Sequence, residues 1–464
     1  MTRRNGTPFA LLILLLPFLA FLSAAAEEGG EAYDLDRCIR TALEANRGIL
    51  LQEVEEDRAS QRVREAWAGA LPQIGLEGTL NRNFKRPSFF FGGFPGGEGD
   101  SAGGEAAPSE DVVIEIGNRY DYTAALSLRQ PLWVGGKVGA ALKAAKIYDR
   151  AVDQDTRSVE REVVLQVRRL FYTALLAAEE VEVYRSALEQ AERNLEIARL
   201  RRDRGLASDF ELLRAEVAVS EAEPPLIEAR NRVRQSENDL KIALGVDLDS
   251  AIRPTGDFRF EPVPPERMEA LAERAVEARP DRRSLALQAD LLAQNVRVNK
   301  ADRWPGFYLI GSYQFQGSSD DLDFQERERT TAYSGGLLVS YPIWTSGATT
   351  ARIRQAEADR RAAIIRLEQL DEEIRREVRS AAFDMESATD RAAAAAKTEE
   401  QARRAYEIAE TSYENGLLTQ VELLDARLAL TRSRVARLRA LHDALAARAA
   451  WERAVGLSWS EEGS

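Results

Sequence analysis

"RYDYTAALSLRQPLWVGG" occupies residues 119–136, and "TAYSGGLLVSYPIWTSG" occupies residues 331–347. In the first, Tyr120, Tyr122, Ala124, Leu126 and Leu128 alternate with Asp121, Thr123, Ala125, Ser127 and Arg129. That is the two-residue period of a strand with one apolar and one polar face. The second stretch does much the same. Each passes through a proline, Pro131 or Pro342, into a proline-free run at 132–204 or 343–415. In the first run Val167, Leu170, Ala174, Ala177, Val181, Tyr184, Leu188, Ala191, Leu195 and Ala198 follow in steps of three and four, a heptad seam. An amphipathic strand feeding a helix of about 100 Å, at ~1.5 Å per residue, sets the fold class.

Outward from these stretches, the chain is written twice. At an offset of 211 the halves align without a gap from Pro131/Pro342 to Gly245/Gly456, and "EQAERNLEIARLRRDRGL" (189–206) falls on "EQARRAYEIAETSYENGL" (400–417). Upstream the offset is 233 and pairs Pro72 with Pro305. Such a match is an internal duplication. "QIGLEGTLN" (73–81) and "GFYLIGSYQF" (306–315) supply a further strand in each half, the second less cleanly because Tyr308 and Ile310 fall on the polar face. Shorter helical patterns at about 34–70, 209–244, 266–303 and 420–455 would each be ~55 Å long, so two end to end match one long helix. The expected fold is mainly α: a helix-strand-strand-helix-helix unit, duplicated, on a tall coiled-coil body. Pro72, Pro131, Pro305 and Pro342 mark the four helix-to-strand junctions.

Four strands of about ten residues, apolar outward and polar inward, fit a transmembrane β-barrel. Closing a barrel takes about eight, so several chains must share one. A half-buried soluble sheet carries the same alternation, which leaves a soluble periplasmic coiled-coil adaptor or tether as the alternative.

The expected divisions are a signal peptide at 1–26, a first repeat at 27–245, a proline-bearing linker at 246–265, a second repeat at 266–457 and a tail at 458–464. Residues 1–26 carry Arg3 and Arg4, the apolar run "PFALLILLLPFLAFL" and Ala24–Ala26, the order of a cleavable secretory signal. The formal net charge of −13 makes nucleic acid a poor partner. Cys38 is the one cysteine and His442 the one histidine, so an intrachain disulfide and the usual soft metal sites are excluded. No Ser-His, Cys-His or phosphate-loop constellation suggests an enzyme, and no cofactor is expected.

"RGLASDFELL" (204–213) and "NGLLTQVELL" (415–424) end the long helices. Gly205 and Gly416 suit a left-handed turn, and Ser208 and Thr419 stand three residues before Glu211 and Glu422 as two capping boxes. Together they make two tight helical hairpins. The extra length of the first half, 84–113, is rich in glycine and acidic residues with Phe89, Phe90, Phe91 and Phe94, and reads as a flexible loop.

With these marks, the sequence resembles the TolC-like outer-membrane efflux proteins of Gram-negative bacteria over about 33–457. The resemblance implies a homotrimer whose twelve-stranded β-barrel stands in outer-membrane lipid on a long periplasmic α-helical barrel. It implies a passive exit duct for efflux or type I secretion, docking on a periplasmic adaptor and an inner-membrane pump of RND, ABC or MFS type. It aligns Glu211, Glu422 and Asp425 with pore-facing acids of the periplasmic entrance, where crowding would raise their pKa values. Tyr413 aligns with the gate tyrosine, while the family's basic position is Leu418 here. Gly205, Leu206, Ser208, Gly416, Leu417 and Thr419 form the hairpin tips, and the tip residues Leu206, Ala207, Leu417 and Leu418 are small or apolar, an adaptor-docking feature.

Overall fold

The computed structural model describes residues 31–86, 88–91, 112–115, 117–260, 268–321 and 329–457. The expected signal segment, the tail and Phe94 lie outside them. In chain order the elements are β1 (Glu31–Tyr33), α1 (Leu35–Ala45), α2 (Arg47–Ala68), β2 (Gln73–Arg82), β3 (Ser88–Phe91), β4 (Val112–Glu115), β5 (Tyr120–Val134), α3 (Lys137–Asp203) and α4 (Asp209–Leu244). They continue with β6 (Ile252–Pro254), α5 (Met268–Ala278), α6 (Pro280–Ala301), β7 (Gly306–Ser319), β8 (Arg329–Ser340), α7 (Ala348–Glu414) and α8 (Gln420–Val455).

Helices α3 and α7 have 67 residues each, about 100 Å at ~1.5 Å per residue. Along α3 the heptad seam turns inward: Val163, Val167, Ala174, Ala177, Val181, Ala191 and Ala198 are all buried. The duplication is visible in the core. One cluster holds Cys38, Ile39, Ala42, Val163, Val167, Leu240 and Leu244, and another holds their repeat partners Leu271, Ala272, Ala275, Ile374, Val378, Trp451 and Val455. Cys38 thus occupies the position of a buried leucine.

The regions read as single helices at 34–70 and 266–303 are each broken. Asn46 ends α1 and caps α2, its side chain accepting from the Gly48 amide at 2.8 Å and donating to the Ala243 carbonyl at 2.7 Å. Arg279 and Pro280 break the second copy at the matching position. At the first break Gly245, at φ +74°, passes so close that a Cβ on it would lie 2.1 Å from the Ala45 carbonyl oxygen, while at the second Pro280, which has no amide hydrogen to give, opens α6. A straight helix would leave no room for that approach.

Strands β2, β5, β7 and β8 form one antiparallel sheet in that order. Leu76 opposes Leu126, Leu126 opposes Tyr313, and Tyr313 opposes Tyr333. Ile74, Leu76, Leu80, Tyr122, Leu126, Leu128, Leu309, Phe315, Leu337 and Val339 therefore share one face. Glu77, Thr79, Asp121, Thr123, Ser127, Arg129, Ser312, Gln314 and Thr330 share the other. Tyr308 and Ile310 do lie on this polar side, where the Arg129 guanidinium sits 4.4 Å from the Tyr308 ring centroid. A cation over its aromatic face accommodates Tyr308 on the polar side.

Three expectations are corrected. Pro131 lies inside β5 rather than at its end, beside a β-bulge between Pro131 and Trp133. The proline is tolerated there because β2 pairs no further than Arg129, leaving one edge of β5 free. The proline-bearing linker includes β6, which pairs in parallel with β1. The inserted loop contains β3 and β4, an antiparallel pair with Phe89 opposite Ile114.

Four of the six tryptophans mark the passage from helix to sheet. Trp67 closes α2, Trp133 stands at the end of β5, Trp304 precedes β7 and Trp344 follows β8. Trp133 meets Trp304 edge-on at 6.3 Å and Phe307 at 5.9 Å. Tryptophan gathered at one level beside an apolar sheet face is the composition of a membrane–water boundary. No described helix is long and apolar enough to cross a membrane.

Candidate functional site

Away from the sheet, α3 turns into α4 and α7 into α8 through two hairpins of the same construction. Gly205 and Gly416 both take φ +73°. The Gly205 amide donates to the Arg202 carbonyl and the Leu206 amide to Arg201, each at 2.8 Å; Gly416 and Leu417 donate likewise to Tyr413 and Ser412 at 3.0 and 2.9 Å. These paired bonds satisfy carbonyls that the helix ends leave open.

The following caps are not equal. Thr419 Oγ1 accepts from the Glu422 amide at 3.4 Å while Glu422 Oε2 accepts from the Thr419 amide at 2.9 Å, a complete capping box. Ser208 Oγ accepts from the Glu211 amide at 3.2 Å, and the cap of α4 has only this half. The Glu211 carboxylate instead lies close enough to Tyr413 to raise the pKa of its hydroxyl, adding to the larger effect of burial and opposing Arg201.

The hairpins are tied to each other by two contacts. Arg201, in the last turn of α3, donates to the Tyr413 carbonyl at 3.2 Å and places its guanidinium 4.9 Å from the Tyr413 ring centroid. Gln420 donates from Nε2 to the Glu211 carbonyl at 2.9 Å. Tyr413 is buried with Tyr406, Ala409, Leu423 and Leu430, and Leu418 packs against that cluster. Leu418 is therefore a packing residue rather than an exposed tip, which corrects the earlier expectation. The exposed apolar tip consists of Leu206, Phe210, Leu213, Leu417 and Val421.

Arg201, Gln420, Phe210 and Val421 are missing from the sequence reading. Arg201 had a signal: it stands in "RLRRDRGL" (199–206), which aligns with "ETSYENGL" (410–417), so one tip is strongly basic where the other is not. The acids do not gather within one chain. Glu422 is engaged by its own cap, Glu211 faces Tyr413, and Asp425 is exposed. Hydrogen bonds from the Thr419 amide and hydroxyl hold the Glu422 carboxyl below its ordinary pKa, opposite to the direction expected from crowding. Among the described residues there is no cluster of three or more histidine, cysteine or acidic side chains that could hold a metal.

The profile of the family described as "Outer membrane efflux protein" matches residues 38–246 and 271–457, covering both repeats. The chain belongs to this family. It is an outer-membrane exit duct of a Gram-negative bacterium, and the soluble-adaptor alternative is overturned by that match. Among curated relatives, it is 26% identical over 320 residues to the alkaline protease secretion protein AprF of Pseudomonas aeruginosa, covering 67% of this chain and 65% of that one. It is 23% identical over 417 residues to the outer membrane protein TolC of Vibrio cholerae, covering 89% and 88%. Among solved structures, the outer membrane protein VceC of Vibrio cholerae superimposes with a TM-score of 0.68 at 19% identity, covering 92% of this chain and 96% of that one. A membrane protein from Pseudomonas aeruginosa gives 0.70 at 21% identity, covering 91% and 93%.

Proposed function

We propose that three copies of this chain form one continuous passage: a twelve-stranded barrel in the outer membrane above an α-helical tunnel whose periplasmic end is the ring of hairpin tips. The observation that carries this is the four-stranded sheet with one apolar face, one polar face and two unpaired edges, standing on 67-residue helices. Four strands cannot close, and three times four can. The passage has no catalytic step and binds no cofactor; energy comes from an inner-membrane pump of RND, ABC or MFS type, reached through a periplasmic adaptor, in a tripartite efflux or type I secretion assembly.

In this reading Glu211, Glu422 and Asp425 of three chains place nine carboxylates at the entrance. They favour cations and oppose anions. Tyr413, held by Arg201, belongs to the resting closure, while Gly205, Leu206, Ser208, Gly416, Leu417 and Thr419 shape the tips that meet the adaptor. The apolar patch of Leu206, Phe210 and Leu417 gives the adaptor its contact.

The test is single-channel conductance of detergent-purified protein in a planar bilayer under a salt gradient. Small cation-selective openings are expected, with selectivity falling when Glu211, Glu422 and Asp425 are replaced by alanine. Unchanged selectivity would remove the carboxylates from the entrance; folded protein that forms no channel would overturn the duct.

A further inference from the structure

Between α3, α4 and α8 of a single chain runs a cavity of about 520 Å³, within the size range of small-ligand sites. Its walls are apolar where the helices approach: Ala187 of α3, Ala218 and Pro225 of α4, and Val435 of α8. The gap has a local cause. Pro224 and Pro225 stand inside α4, and a proline ring in a helix interior clashes with the carbonyl four residues back and kinks the helix. Val435 and Ala436 hold the matching places in α8, so one wall alone carries the disturbance.

The positive charge of the lining comes from one helix. Arg427, Arg432 and Arg439 of α8 border the cavity, and at the offset of 211 their repeat partners on α4 are Glu216, Glu221 and Glu228. Duplication therefore does not account for the arginines. Arg439 is engaged, donating to the buried Glu180 at 2.9 Å. The other two are not. Arg427 Nη1 is enclosed and has no hydrogen-bond partner among the described residues, and the exposed Arg432 joins no ion pair among them. Burial lowers the Arg427 pKa against the weaker opposing influence of Tyr406 and Glu221, the mark of a cation short of a counter-charge. Glu221 is the one acid among the described residues that line the cavity. Set against Arg427 and Arg432, it leaves one positive charge.

We propose that this cavity binds a small organic monocarboxylate, its carboxylate held between Arg427 and Arg432 and its apolar body lying along Pro225 and Val435. Five positions separate the two arginines, about 7.5 Å along the helix axis, a gap that two long side chains close on one carboxylate. A planar guanidinium fork meets a carboxylate in two parallel bonds. The single surplus charge favours a monoanion over phosphate, and the apolar walls favour a hydrocarbon body over acetate. All three walls belong to one chain, so the site stands whether or not three copies assemble. A ligand here touches α4 and α8 together and links the second arms of the two hairpins.

The test is calorimetric titration of the full-length protein, in nanodiscs of zwitterionic lipid, with naphthoate; empty nanodiscs are the blank. Saturable binding is expected. Naphthamide, the same shape without the charge, and acetate, the charge without the body, are each expected to bind at least roughly tenfold more weakly. Arg427→Gln and Arg432→Gln are each expected to weaken naphthoate at least roughly tenfold; Arg432 is exposed, so its replacement leaves the helix packing in place. Glu221→Gln is expected to tighten binding, a sign that a role in packing alone would not produce. Equal binding of naphthoate and naphthamide would overturn the arginine clasp, as would naphthoate binding unchanged in both arginine variants. Acetate or phosphate binding as tightly as naphthoate would overturn the apolar half of the site. No heat beyond that of empty discs up to about 1 mM ligand would overturn the site altogether.

Discussion

The Arg201 guanidinium sits 4.9 Å from the Tyr413 ring centroid and bonds to the Tyr413 carbonyl at 3.2 Å, so a cation on one hairpin holds the last turn of the other. In the proposed resting closure, Arg201 stands on the other repeat as the base that Leu418 does not supply. Removing it frees Tyr413 from its neighbour without disturbing either cap. Arg201→Ala is expected to make opening easier by about 1–2 kcal/mol, raising open probability roughly five- to thirtyfold in single-channel records. Tyr413→Phe keeps both the ring and the carbonyl and is expected to change much less, whereas Tyr413→Leu is expected to resemble Arg201→Ala. Equal behaviour of the phenylalanine and leucine variants would assign the effect to the hydroxyl instead.

Glu422 gives the tips a pH dependence with a definite sign. Its folded pKa is lowered by the Thr419 bonds, so the stabilisation is present above the ordinary carboxylate range and lost as pH falls through the folded value. The first turn of α8 is therefore expected to fray only as the pH falls below the ordinary carboxylate range. The first turn of α4, whose box is half-formed, should respond less. Hydrogen exchange at both turns between neutral and acidic pH reads this directly. Thr419→Ala is expected to cost about 1 kcal/mol at neutral pH and to remove the difference between the turns.

Much of this architecture is legible in the sequence because duplication and periodicity are global signals. The seam from Val167 to Ala198, the four strands and the two glycine turns each repeat a pattern over many residues. What escapes is set by tertiary proximity. The helix break at Asn46 depends on Gly245, almost two hundred residues away, pressing against Ala45. The continuation of β5 through Pro131 depends on where β2 stops pairing. The contact of Arg201 with Tyr413 joins two repeats whose aligned positions carry unlike residues, so a search for repeated features passes over it. Equal spacing in Ser208–Glu211 and Thr419–Glu422 likewise suggests equal caps, yet Glu211 has Tyr413 beside it as a competing neighbour.

Gly245 and Gly456 occupy the same place in the two repeats and both adopt a left-handed conformation, at φ +74° and +81°. They differ in surroundings. A Cβ at Gly245 would meet the Ala45 carbonyl oxygen at 2.1 Å, while at Gly456 the nearest atom is a side-chain nitrogen of Arg161 at 3.5 Å. Alanine at Gly456 is expected to cost about 1–2 kcal/mol, the strain of the left-handed region alone. Alanine at Gly245 must also displace the joint between α1 and α2, and is expected to cost more. Thermal unfolding of the two variants side by side checks the order; equal losses would mean that the joint yields freely.

One carboxylate clasps the helices at the repeat boundary. Glu180 of α3 is 3% exposed and accepts from Arg232 of α4 at 2.9 and 3.1 Å and from Arg439 of α8 at 2.9 Å. Both arginines retain exposure, so they turn to water when the acid is removed and the loss is smaller than for a fully buried pair. Glu180→Ala is expected to destabilise by about 1–3 kcal/mol, and Glu180→Gln, which keeps the shape and an acceptor but not the charge, by less. The effect should fall on the contact between α3 and α8 before it reaches the sheet. Protease nicking of the helical body should therefore increase at temperatures where the β-sheet still resists denaturant. Simultaneous loss of both would show the clasp to be redundant with the apolar seam around Val181.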